Sequence, residues 1–345
     1  MASKSFFLSV AFLASLQGVH GSIFGESTPK VAAYLNGGGQ GLATFCQNPN
    51  VDIIQLAFVD QLDTEPQSAS LAGIQSWEIT QCQAQGKTIL VSLGGATYHQ
   101  ADRQGGWSTP DLASQMADKL WNKYGPGASA SGQGPWGTAV IDGFDFDFEV
   151  PMSNLPAFTN RLIALKNNAG LKKPFYLTAA PQCQWPDKNL QTVLDSNMGA
   201  FDAIFVQFYN NQECGIGAGY QRRSQGPSAR RSGLLGNFNL AHWLNLASQS
   251  SGPANNNYNL AVTTAPGSGA KSIKPKIFVG VPGGTAGTET PNSGYVDANT
   301  LKQAIESVTA GGNANFGGVS IWSLQVAMSN GNFLANVKSI LTSWK

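Results

Sequence analysis

Eight short runs rich in β-branched and aromatic residues recur along the chain, at Val31–Leu35, Asp52–Val59, Thr88–Leu93, Phe144–Val150, Phe175–Ala180, Ala203–Tyr209, Ile277–Val281 and Gly318–Leu324. Between them lie segments with apolar residues at helical spacing, at Leu71–Gln85, Pro110–Tyr124, Leu155–Asn168, Phe238–Ser250 and Ala298–Thr309, with Phe333–Trp344 last. Strands that alternate with helices build a parallel sheet. An open doubly wound sheet gives the same alternation, but no Gly-x-Gly-x-x-Gly follows the first run, and eight strand–helix units are what a (β/α)8 TIM barrel needs to close. The expected fold is therefore α/β, a single TIM-barrel domain over residues 22–345. Thr109-Pro110-Asp111 puts a capping hydroxyl ahead of a proline, Asp297 precedes another helix, and Gly86 and Gly125 stand where helices should stop. Two glycine-rich segments, Gly125–Gly137 and Asn210–Gly236, and the polar Ser250–Lys276 are expected as loops.

The fourth run carries an unusual pattern, Asp142-Gly143-Phe144-Asp145-Phe146-Asp147-Phe148-Glu149. Alternate side chains of a strand point to opposite faces, so Asp145, Asp147 and Glu149 share one face and the three phenylalanines the other. Phenylalanines suit the helix-covered outside of a barrel, which turns the acids inward. Carboxylates about 6–7 Å apart in such a place repel one another, so at least one pKa rises. Glu149, last in the row, falls at the carboxyl end of the strand, where barrel enzymes place their chemistry. A calcium loop also spaces acids by two, yet it needs a glycine turn and polar spacers rather than phenylalanines. Asp142 has the phenylalanine parity and is expected to be structural.

Geometry narrows the chemistry further. A conventional retaining glycosidase needs two carboxyl groups about 5–5.5 Å apart on opposite sides of the bond. Asp147 and Glu149 approach from one side, so a nucleophile must come either from Asp60 or Asp63 after the second strand, or from the substrate itself. An N-acetyl group at C2 of an amino sugar can serve, which points to N-acetylglucosamine polymers.

Composition fits an exported protein acting on a neutral polymer. The net charge is +1 with 12% charged residues, which favours neither nucleic acid nor an anionic membrane as partner. The arginine pairs Arg222-Arg223 and Arg230-Arg231 lack interleaved aromatics and are expected as solvated loop charge. Lys4 followed by an apolar stretch from Phe6 to Leu16 and small residues near Gly18, Gly21 and Ser22 has the form of a signal peptide over residues 1–21, too short to span a bilayer. In a secreted chain Cys46, Cys82, Cys183 and Cys214 can form two disulfides, with three pairings open. No Cys-x-x-Cys unit is present and His20, His99 and His242 are scattered, so no metal or other cofactor is expected.

The acidic strand matches Asp-x-x-Asp-x-Asp-x-Glu, and the chain thereby resembles glycoside hydrolase family 18. Ser92-Leu93-Gly94-Gly95, Ala179-Ala180-Pro181-Gln182-Cys183, Val206-Gln207-Phe208-Tyr209-Asn210-Asn211 and Gly317-Gly318-Val319-Ser320-Ile321-Trp322-Ser323 are similar, in order, to segments of its plant class III, hevamine-like, and fungal chitinase subgroup. The resemblance implies an endo-acting chitinase that hydrolyses β-1,4-linked N-acetylglucosamine with retention. It assigns Glu149 as acid and then base, Asp147 as the group that orients the acetamido N–H, Asp145 as its proton-sharing partner, and Tyr209 as donor to the acetamido oxygen. Gln207, Trp322, Tyr34, Phe58, Gly95 and Asn210 would line the substrate site. It pairs Cys46 with Cys82 and Cys183 with Cys214, the first bridge contributing about 3–4 kcal/mol in the chain-entropy model. A secreted monomer is implied, with a shallow groove, because the thirty or so residues between the last two strands leave no room for an α+β insertion domain. Two departures stand out: Tyr34 continues as Leu35-Asn36-Gly37 where relatives carry Tyr-Trp-Gly-Gln, and a third plant disulfide has no cysteines here. Family 18 folds also serve as lectins and inhibitors without catalysis, and as endo-β-N-acetylglucosaminidases acting on N-glycans, so these remain as alternatives.

Overall fold

The computed structural model describes residues 22–37, 41–63, 65–96, 98, 105–132, 134–216, 237–250, 274–287, 294–309 and 312–344. Residues 1–21, both arginine pairs, and most of the expected loops at 210–236 and 250–276 lie outside them. Eight strands close a parallel barrel: β1 Lys30–Asn36, β2 Ile53–Val59, β3 Thr88–Gly94, β5 Gly143–Asp147, β7 Tyr176–Ala179, β8 Ala203–Gln207, β9 Lys276–Pro282 and β10 Phe316–Trp322, with β10 returning to β1. The remaining two strands, β4 Gly105–Gly106 and β6 Met152–Ser153, form a short ribbon beside the barrel. Outside lie α1 Gly41–Cys46, α2 Ser76–Ala84, α3 Pro110–Lys123, α4 Pro126–Ser131, α5 Leu155–Asn168, α6 Gln191–Asn197, α7 Leu240–Gln249, α8 Ala298–Thr309, α9 Leu324–Met328 and α10 Phe333–Thr342. The link from β9 to β10 holds α8 and no strand among its described residues.

Side-chain alternation divides the core in two. Phe144, Phe146 and Phe148 belong to the outer layer between strands and helices, where Phe146 packs on Phe158 and Phe201. Inside the barrel Phe24, Tyr176, Phe205 and Phe278 fill the amino-end mouth, and Tyr34, Phe58 and Trp322 gather at the other end.

The amino ends of the strands are tied together by a repeated device. Asp52, Asp142 and Asp202 stand directly before β2, β5 and β8. Each donates its backbone N–H to the preceding barrel strand, at Val31 O (2.8 Å), Ile89 O (2.7 Å) and Leu177 O (2.7 Å). Each carboxylate Oδ2 then accepts the amide of that same residue, at 2.8, 2.8 and 2.9 Å. A lysine neutralises each: Lys338 at 2.6 Å, Lys173 at 3.0 Å and Lys166 at 3.0 Å. Asn315 stands directly before β10, and its backbone carbonyl accepts Ile277 N–H at 2.7 Å. The structural role expected of Asp142 is thus accounted for.

Three local expectations are corrected. The segment 125–137, expected as a loop, contains α4, because Pro126 starts a helical turn and Gly132, at φ +67°, ends it. The helix expected from Leu71 begins at Ser76, where Gln75 and Glu78 form a reciprocal capping box. The acidic strand, expected to Val150, is paired only to Asp147, because its neighbour β3 ends at Gly94. Both disulfides match the implied pairing, with Cα–Cα distances of 5.2 Å for Cys46–Cys82 and 5.7 Å for Cys183–Cys214.

Lys166 and Asp202 form the most buried of these ion pairs, with side chains 4% and 12% exposed. Asp202→Ala strips a buried ammonium of its partner and Leu177 N–H of its acceptor, so urea unfolding should show a loss of about 3–5 kcal/mol.

Candidate active site

The inner face of β5 carries the site. Ser92, Asp145 and Thr178 occupy one rung of the ladder across β3, β5 and β7. Asp145 is fully buried, and four groups donate to it: Thr178 Oγ1 at 2.6 Å, Ser92 Oγ at 2.8 Å, Tyr34 Oη at 2.9 Å and Gln55 Nε2 at 3.1 Å. Ser320 Oγ in turn reaches Gln55 Oε1 at 3.3 Å. Burial raises the Asp145 pKa, while the four donors pull it back.

Asp147, one rung up, is 4% exposed. Gln207 Nε2 donates to it at 2.9 Å and also spans to Glu149 Oε1 at 3.4 Å and to Ala180 O at 3.1 Å. Its pKa stands well above the ordinary carboxylate value, first through burial and then through the charges of Glu149, Asp145 and Asp187. Four side chains donate to Asp145 and Gln207 donates to Asp147, so hydrogen bonding offsets the effect of burial at both acids. Glu149 is half-buried and lies two residues beyond the paired strand. Tyr209 is buried, and desolvation together with Asp147, Glu149 and Asp145 pushes its pKa well up, so its hydroxyl remains a donor.

The expected aromatic wall is assembled. Phe58 stacks on Trp322 with centroids 5.8 Å apart and planes at 24°, and Tyr34 meets Trp322 edge-on at 5.6 Å. Phe58 keeps its inward place because Ser70 Oγ accepts its N–H at 2.9 Å while Ser68 Oγ donates to its carbonyl. Gly94 and Gly95 let β3 turn over this wall: a Cβ on Gly94 would stand 2.5 Å from Asp147 O, and one on Gly95 2.6 Å from the Phe58 ring. Gly95 N–H donates to Asp147 O at 2.7 Å. Asn210 follows Tyr209 in a left-handed turn, at φ 59°.

Asp60 acts on a group outside this one. The charges acting on Asp147 come from Glu149, Asp145 and Asp187, whereas Asp60 acts on Tyr124, in the outer layer at the end of α3, whose pKa rises to about 12 from burial and that charge. Gln55, Thr178 and Asp187 are site-forming residues not expected from the sequence, and Ser92 entered only as the start of the Ser92-Leu93-Gly94-Gly95 segment. Ser92 and Thr178 were within reach, since each shares inward parity with its own strand's pattern.

Among the described residues no group of three or more His, Cys, Asp or Glu side chains is arranged to hold a metal, and no helix is long and apolar enough to cross a membrane. The model of the glycosyl hydrolases family 18 matches residues 30–327. The chain is 38% identical over 269 residues to a class III chitinase of Arthroderma benhamiae, covering 77% of this chain and 69% of that one. It is 33% identical over 319 residues to endochitinase 33 of Trichoderma harzianum, covering 88% and 86%. Its fold is shared with the solved ICChI chitinase from Ipomoea carnea, at TM-score 0.63 and 24% identity over 90% of this chain and 99% of that one. A xylanase and alpha-amylase inhibitor protein from Scadoxus multiflorus also shares it, at TM-score 0.65 and 23% identity over 90% and 98%.

A buried acid with a raised pKa binds its proton more tightly folded than unfolded. The stability this confers is fully present below the unfolded-state pKa and is lost as pH rises through the raised one. Asp147→Asn, which keeps an acceptor for Gln207, should therefore unfold at a higher temperature than the parent at about pH 8 and show no such gain near about pH 4.

Proposed function

The chain belongs to family 18 of the glycosyl hydrolases, and from that premise we propose that it is a secreted endo-chitinase working by substrate-assisted retention. The observation that carries this is the Gln207 amide, which spans Asp147 and Glu149 on one side of the site. With both acids on one strand, and Asp60 acting on Tyr124 instead, the acetamido group of the substrate is the nucleophile best placed to complete the attack.

In the proposed reaction Glu149 gives its proton to the glycosidic oxygen as the bond to C1 breaks, and the acetamido oxygen closes on C1. The oxazolinium so formed carries an N–H that Asp147 holds, its proton shared within the acidic row. The neutral Tyr209 hydroxyl donates to the acetamido oxygen. Water then adds at C1 as the C1 bond to the acetamido oxygen breaks and the N-acetyl group re-forms; the water loses a proton to Glu149, which restores the acid and leaves the β-anomer. Trp322, with Phe58 and Tyr34 at its side, is assigned the floor under the reacting ring, and Gly95 and Asn210 the rim. Residues 1–21 are assigned as a signal peptide and the remainder as one catalytic domain acting as a monomer. The two disulfides support an oxidising destination.

A non-catalytic sugar-binding or inhibitory role on the same fold is the second reading, supported by the likeness to the inhibitor protein. Turnover separates the two. Glu149→Gln should abolish release of labelled chito-oligosaccharides, a loss of about 10³-fold or more, while their binding persists. Asp60→Ala should keep most of the parent rate, and thiazoline mimics of the cyclised acetamido group should inhibit. A parent that binds chitin and cuts nothing would establish the non-catalytic reading, and turnover of high-mannose glycoprotein without turnover of chitin would establish an endo-β-N-acetylglucosaminidase.

A further inference from the structure

The ladder between β5 and β7 opens where the acidic row ends. Tyr176 N–H donates to Asp142 O and Ala180 N–H to Phe146 O, both at 2.8 Å. By that spacing the next amide facing β5, Gln182 N–H, would meet Phe148 O. It donates instead to Oδ2 of Asp187 at 3.1 Å, while Oδ1 of the same carboxylate takes Asn189 N–H at 2.9 Å and Leu190 N–H at 2.6 Å. Asp187 is 1% exposed.

The opposite edge of the same segment holds Gln207. Gln207 N–H donates to Pro181 O at 2.8 Å, and Cys183 N–H donates to Gln207 O at 3.2 Å. The strand alternation that aims Gln182 N–H at Asp187 therefore fixes the backbone from which Gln207 extends its amide to Asp147 and Glu149. The Cys183–Cys214 bridge, with Asn239 Nδ2 and Trp243 Nε1 donating to Cys183 O at 2.8 and 3.2 Å, pins the far end of the segment.

We propose that Asp187 is a positioning residue for the Asp147–Glu149 pair: its carboxylate stands in for the missing Phe148 carbonyl, holds the β5 and β7 chains apart at the level of Glu149, and sets the segment against which Gln207 is aligned. This rests on the function proposed above. Its charge adds a second effect. The titratable groups acting on Asp147 are Glu149 and Asp145 of its own chain segment and Asp187, and Tyr34 and Tyr209 face the same carboxylates with their hydroxyls neutral. Around Asp187 itself stand its three amide donors and the neighbouring Lys188. Removing the Asp187 charge takes away one of three anions that favour protonation of the row.

The test is the pH dependence of chito-oligosaccharide hydrolysis by Asp187→Asn, in the full chain. The expected result is a kcat about tenfold or more below the parent, from misplacement of the acid pair, with KM within about twofold. The alkaline limb of the profile should also move to lower pH. A profile and kcat equal to the parent's, or a lowered melting temperature with the limb unmoved, would overturn the proposal. Should the asparagine variant not fold, Asp187→Ser, whose hydroxyl still caps Asn189 and Leu190 but cannot reach Gln182, gives the same measurement. Loss of the fold in both would make Asp187 a structural staple and overturn it equally. A parent without turnover would instead refute the chitinase assignment, and the pH dependence of oligosaccharide binding would then report the Asp187 charge through the same displacement.

Discussion

Placing three carboxyl groups on one face of a single barrel strand is expensive, and much of the interior is organised around that cost. Burial and mutual repulsion both oppose ionisation, so Asp145 and Asp147 lie above the ordinary carboxylate range. The two are treated differently. Asp145 sits among Thr178, Ser92, Tyr34 and Gln55, which together replace the water a carboxylate would keep. Asp147 has Gln207 and the charges of its neighbours, which hold its pKa well above the ordinary carboxylate value. The phenylalanines that alternate with the acids anchor the strand in the outer layer, which keeps the acids from rotating away from one another.

The two ends of the barrel use aspartate in opposite ways. At the amino ends Asp52, Asp142 and Asp202 each have a lysine and two backbone bonds to the adjoining strand, so their charge is matched and their work is to fix register. At the carboxyl ends, among the described residues, the hydrogen bonds to Asp145 and Asp147 come from neutral side chains. Matched charge suits stability, and unmatched charge suits proton transfer because the proton has nowhere cheaper to reside.

Much of this architecture follows from residue pattern. Eight runs with intervening helical periods give the barrel, and the two-residue alternation of Phe144 to Glu149 places acids inside and phenylalanines outside, as found. What escaped has physical causes. The acidic strand ends early because Gly94 and Gly95 turn its neighbour away, an event set by tertiary contact with Asp147 and Phe58. The helix at Pro126–Ser131 is hidden by its glycines and serines, whose propensity is low and whose termini decide the matter. Ser92 and Thr178 become partners of Asp145 only once strand register is fixed. Asp187 lies in a loop, and nothing in Trp185-Pro186-Asp187 announces a carboxylate that closes a gap between two strands.

The central claim is that the sugar's own acetamido oxygen completes an attack begun from one side by Glu149. Its most direct test is hydrolysis of a chito-oligosaccharide glycoside series in which the N-acetyl group at the cleaved sugar is replaced by mono-, di- and trifluoroacetyl. A nucleophilic amide loses power with each fluorine, so kcat/KM should fall progressively along the series. Rates that stay level across it would show that a protein carboxylate, and not the substrate, supplies the nucleophile.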